Sequence, residues 1–120
     1  MKERVLFNEL PFKIKNRLID NKGSWLANHE SPEGSEWAFR ILLLQDLEHI
    51  PFTTPEDKGE ADTINKYKKE YLERRCYTPL IVAKNMDYLI DGYHHLTAFR
   101  EAIEEDETLS NKIECWVRVD

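Results

Sequence analysis

Asp91, Gly92, Tyr93, His94 and His95 stand in a row where a short apolar run, Leu89 and Ile90, gives way to the helical spacing of Leu96, Phe99 and Ile103. The pattern predicts a buried strand that enters a helix through a glycine. The first-turn N–H groups of such a helix have no intrahelical partner and sit at the positive end of its dipole, so the junction suits an anion. Imidazoles that protonate near neutral pH add side-chain donors to it. Gly92, Tyr93, His94 and His95 are therefore the candidate cofactor-binding residues, and Asp91, His94 and His95 the candidate catalytic ones. His94 and His95 project about 100° apart on a helix and cannot both face the core, which leaves one for a ligand. Gly92 is expected to let that ligand approach the backbone. Asp91 stands where an N-cap belongs, and a carboxylate beside a phosphate also serves to hold magnesium or orient a nucleophile.

Further elements are needed to hold this junction in place. Residues 37–44, WAFRILLL, are apolar at nearly every position and read as a strand buried on both faces. A single helical turn over 45–50 ends at Pro51, and 52–61, with two threonines, a proline and a glycine, read as a loop that moves over a ligand. Glu48, His49 and the carboxylates of 55–60 are candidates for a general base brought in by that loop. Ile64, Tyr67, Tyr71 and Leu72 mark one face of a helix over 62–75, with Lys66–Glu70 and Glu70–Arg74 spaced for surface pairs. Tyr67, Tyr71 and Trp116 fit core or rim positions better than a base-stacking platform, and Arg100 and Glu101 fit surface pairs. Residues 80–83 and 88–90 are short strands joined by a turn at 85–87, and 113–119 alternate with period two as a half-buried terminal strand. Upstream, Leu10, Ile14 and Leu18 predict a helix over 11–19, and a second short helix begins at Ser24.

With 120 residues the chain has room for one modest core. The net charge of −6 disfavours a sequence-independent nucleic-acid coat, because such binding is driven by lysine and arginine neutralising phosphates. The basic run Lys66, Lys68, Lys69, Arg74 and Arg75 is more simply a solvated helix face. Cys76 and Cys115 make neither a CxxC pair nor a zinc pattern, and read as reduced buried thiols with no resident metal. No apolar run approaches the about 20 residues that span a bilayer, and the start lacks the features of a signal peptide, so a cytoplasmic protein with no membrane partner is expected.

The stretch DGYHHLTAFRE, preceded by TPLIVAKNMDYLI, resembles the ParB/sulfiredoxin superfamily, whose members share a strand, a glycine turn and a basic helix start. That family also places a proline and an I/L-V-V strand after a helix, matched by Thr78-Pro79-Leu80-Ile81-Val82. The resemblance covers about 39–119. In the ParB branch the positions of His94 and His95 carry arginines that grip nucleotide phosphates. In the sulfiredoxin branch the position of Tyr93 carries the reactive cysteine, so sulfinic-acid reduction is excluded here. The stand-alone free-serine-kinase branch carries a DGHHR-like motif and implies ATP or ADP as donor; the arginine expected after His-His is Leu96 in this chain.

The expected fold is a small α/β (α+β) domain, a mixed sheet of about four strands with packed helices, over residues 37–120, with 1–36 as an N-terminal helical extension. The expected ligand is a nucleotide (ATP, ADP or CTP, with magnesium) or another phosphate-bearing small molecule, bound at the strand-Gly-helix junction for phosphoryl transfer or nucleotide hydrolysis. Two alternatives stand beside it: a ParB-like nuclease acting on nucleic acid, and a non-catalytic plasmid- or phage-linked module. In the module, Trp25 and Trp37 of the first third would form a partner or homodimer surface.

Overall fold

The computed structural model describes residues 4–20, 34–51, 61–75 and 78–120. A mixed five-stranded sheet runs in the order β1-β2-β5-β3-β4, formed by β1 (Val5–Leu6), β2 (Glu36–Leu43), β3 (Leu80–Val82), β4 (Leu89–Asp91) and β5 (Lys112–Arg118). Among the described residues three helices pack on it: α1 (Phe12–Asp20), α2 (Ala61–Leu72) and α3 (Tyr93–Glu105). The α/β class is as expected, with one strand more. That strand, β1, is two residues long and pairs Val5 with Trp37 and Leu6 with Glu36, too short to leave a periodic signal.

The central β5 shows the expected alternation, Ile113, Cys115 and Val117 turning inward. It pairs antiparallel with β2 and parallel with β3, while β3 and β4 form an antiparallel hairpin. Two apolar cores lie among the described residues. One gathers Leu47, Leu80, Val82, Leu89, Leu96 and Phe99 with β5. The other joins Leu10, Ile14 and Leu18 to Trp37, Ile81 and Ile90. Residues 4–20, read from the sequence as part of an extension, thus supply an edge strand and a helix whose apolar face belongs to the second core.

The strand β2 departs from the expectation of burial on both faces. Trp37 and Ala38 are fully buried, but Phe39 is 42% and Ile41 60% exposed. Among the described residues the second core covers this face at the Trp37 end, so a nearly continuous apolar run is not by itself proof of two covered faces. Trp37 is also no partner surface: its indole Nε1 donates to Ser35 Oγ at 2.8 Å inside the core. The segment 24–26 and most of the proposed mobile loop, 52–60, lie outside the described residues; Ala61, its last residue, already begins α2.

Helix ends explain how α2 and α3 are locked. At the end of α2, Arg75 N–H bonds Glu70 O and Arg74 N–H bonds Tyr71 O, a Schellman motif with Arg74 in the left-handed conformation (φ 58°) usually left to glycine. The Arg74 side chain reaches Asp106 and Thr108 just past the end of α3, rather than serving only as a surface partner of Glu70. Lys68 Nζ lies 2.7 Å from Glu105 Oε1, so Lys68 and Arg74 of the basic run link the two helices, while Lys66 and Lys69 lie on the exposed face the sequence suggested. Among the described residues no helix is long and apolar enough to cross a membrane.

Candidate functional site

A cleft of about 380 Å³ opens where β4 passes into α3. Gly92 is the N-cap of the 13-residue α3 with φ 107°, and Leu96 N–H closes the first helical bond to Gly92 O at 2.8 Å. His94 and His95 both line the cleft, with Arg17 from α1, Tyr67 and Glu70 from α2, and Thr78 and Asp91 from the β3–β4 side.

The fold itself supplies a cause for glycine at position 92, beside the ligand approach expected from the sequence. A Cβ on Gly92 would fall 2.6 Å from Leu80 Cδ2 and 3.4 Å from Leu80 Cα, and the positive φ is itself unfavourable for any other residue. The Leu80 side chain of the neighbouring strand β3 occupies the space a Cβ would need. Asp91 likewise corrects the expected N-cap. It is the last residue of β4, paired with Ile81, and its Oδ2 accepts from Arg17 Nε at 2.6 Å. Tyr93 turns away from the expected ligand role: it packs against the apolar core and its ring meets that of His94 edge-on at 5.4 Å.

Arg17 is the cleft residue that the sequence gave no reason to select. Its Nη1 donates to Pro79 O at 2.7 Å while Nε holds Asp91, and its Nη2 lies 3.7 Å from the position a Gly92 Cβ would take. A guanidinium fixed at two points is pre-oriented, so less side-chain freedom is lost when it meets an anion. The sequence signal was slight: one basic residue between the core positions Ile14 and Leu18, 74 residues from Asp91.

His95 stacks on Tyr67, ring centroids 3.9 Å apart and planes within 17°, with Tyr71 edge-on at 6.3 Å. Burial between these rings, helped by the Arg17 charge and opposed by Asp91, pushes the His95 pKa down to about 4. His95 is therefore neutral at physiological pH and acts there as a one-proton donor or an acceptor, not as a cation. The Tyr67 ring, read from the sequence as core or rim, is a cleft wall.

The remaining candidates fall elsewhere. Glu48 and His49 do not line this cleft; Arg100, expected in a surface pair, instead donates to Leu47 O at 2.6 Å and Glu48 O at 3.0 Å, tying that 3-10 turn to α3. Trp116 packs edge-on against Phe39. Cys115 is buried, its thiol pushed up to about 12 by burial, and Cys76 lies outside the described residues. No group of three or more His, Cys, Asp or Glu placed to hold a metal occurs among the described residues. Comparison with protein-family models, with curated proteins and with solved structures finds no match for this chain.

Proposed function

We propose that this chain binds a nucleotide by its phosphate groups in the cleft at the β4–α3 junction, as the resemblance to the ParB/sulfiredoxin superfamily implies. The observation that carries the reading is the convergence of the twice-anchored Arg17 guanidinium and the start of α3 on one cleft, with His94 and His95 beside them. Arg17 supplies the fixed positive charge, the helix start supplies backbone dipoles, and neutral His95 contributes a single donor. Two carboxylates, Glu70 and Asp91, share the wall. They repel a bare polyphosphate, so a magnesium ion arriving with ATP, ADP or CTP strengthens binding by screening that repulsion. Phosphoryl transfer or hydrolysis would then use one of these carboxylates to orient the attacking oxygen.

Calorimetric titration with ATP, ADP and CTP, with and without magnesium, tests the reading. Saturable binding that Arg17→Met weakens at least about tenfold supports it; absence of binding by all three nucleotides removes it. A second reading, a non-catalytic interaction module, is favoured by the exposed Phe39 and Ile41 beside Trp116 on one face of the sheet. Sedimentation analysis distinguishes it, since a homodimer through that face is lost on replacing Ile41 by Asp.

A further inference from the structure

A second cavity of about 360 Å³ adjoins the cleft. Its apolar wall is made by Tyr71 from α2, Phe99 from α3, Leu109 from the loop that follows and Ile113 from β5, and the charged Lys112 and Glu114 of β5 also line it. Thr78 stands in the wall of both cavities. Helix α2 lines both, with Tyr67 and Glu70 on the cleft and Tyr71, four residues after Tyr67, at the second cavity, where Arg74 from the turn that ends the helix joins it. Four helical residues advance about 6 Å along the axis, a step that the sugar of a nucleotide covers. One face of Tyr67 is taken by the His95 ring, so that face is closed to an incoming aromatic group.

Resting on the nucleotide reading above, we infer that the second cavity receives the nucleobase. The ligand is then a mononucleotide laid along α2, its phosphate at Arg17 and its base among Tyr71, Phe99, Leu109 and Ile113. Apolar and aromatic walls suit a flat ring system, whose transfer from water stabilises the complex without requiring a particular base. Arg74 does not grip the phosphate in this arrangement; its guanidinium is bonded to Asp106 and Thr108 and forms part of the wall.

The test is an NMR titration of the full chain with inorganic phosphate, ribose 5-phosphate and AMP. Ribose 5-phosphate is expected to shift the amides of residues 92–95. AMP is expected to bind about tenfold more tightly and to shift the Phe99 and Ile113 signals as well. Leu109→Asp, a change at a half-buried loop position, should remove that tenfold gain while the affinity for ribose 5-phosphate confirms an intact fold. If AMP binds no better than ribose 5-phosphate and the Phe99 and Ile113 signals stay in place, the inference is overturned and the phosphate cleft still stands. Failure of all three probes to shift residues 92–95 overturns the cleft reading and the inference together. A 5′-phosphorylated tetranucleotide that binds more tightly than AMP overturns the choice of a free mononucleotide.

Discussion

Arg17 and Asp91, on α1 and at the end of β4, are joined by a hydrogen-bonded ion pair of 2.6 Å. Their side chains are 21% and 30% exposed, which places the pair between the surface regime, where such contacts contribute little, and the buried regime, where removing one partner strands the other. The pair attaches the first helix to the strand that leads into the cleft, so one contact serves both the fold and the candidate site.

Replacing Arg17 by Met is expected to cost about 1–3 kcal/mol, because the Asp91 carboxylate and Pro79 O lose their donor while the aliphatic stem is kept. Urea denaturation measures it. A change below about 0.5 kcal/mol would mean that the pair is a solvent-screened surface contact.

Gly92→Ala is expected to destabilise by about 2 kcal/mol or more, since a Cβ there meets Leu80 Cδ2 at 2.6 Å and φ is 107°. Gly92→Val should be worse. Because folding and binding fall together at this position, these variants do not isolate a ligand role; their value is as a check on the left-handed junction, read from the shift in unfolding midpoint.

Stability should fall as pH drops from about 6.5 toward 4. The His95 pKa is lowered to about 4 in the folded chain and is about 6.5 when unfolded, so in this window the unfolded chain binds the extra proton and unfolding is favoured as pH falls. The loss attributable to this half-buried ring is roughly 2 kcal/mol once solvent screening is allowed for. Following the His95 Cε1–H resonance against pH gives the direct answer, a midpoint near 4; a midpoint near 6.5 would show that the Tyr67 stack does not shield the ring. It follows that pH dependence of anion binding between about 5.5 and 8 cannot come from His95.

Arg100→Gln is expected to free the 3-10 turn at Leu44–Leu47, whose carbonyl at Leu47 and the next at Glu48 are held by the guanidinium. Faster amide exchange confined to residues 44–50, with about 1–2 kcal/mol of lost stability, is the expected result. Uniform exchange across the chain would show the contact to be incidental.

The Cys115 thiol should resist alkylation at pH 8 in the folded protein, because burial raises its pKa to about 12 and leaves almost no thiolate. Peptide mapping after iodoacetamide treatment should find it modified only when denaturant is present.

Periodicity made α1, α2, α3 and β5 legible, because each buries one face and its apolar residues must recur with the geometry of the element. The hairpin of β3 and β4 was readable for a related reason: a polar turn separates two short apolar runs, and Asn85 and Met86 there take the left-handed conformation. The limits are equally physical. WAFRILLL reads the same whether one face of β2 is covered or both, since local composition does not report what packs against it. A two-residue strand such as β1 carries no period at all. Arg100 looked like a surface residue because nothing in its neighbourhood of the sequence places Leu47 O within reach.

Sequence alone determined that a glycine and two histidines follow a short buried strand at the start of a helix, since backbone propensity and apolar spacing act over a few residues. Tertiary structure alone decided what that junction is made of. Leu80 packs where a Gly92 Cβ would stand, Arg17 rather than the helix start holds Asp91, and the rings of Tyr67 and Tyr71 bury His95 so that its pKa falls. Each of these depends on groups far apart in the chain, whose distance is set by packing of the two cores and not by any local rule.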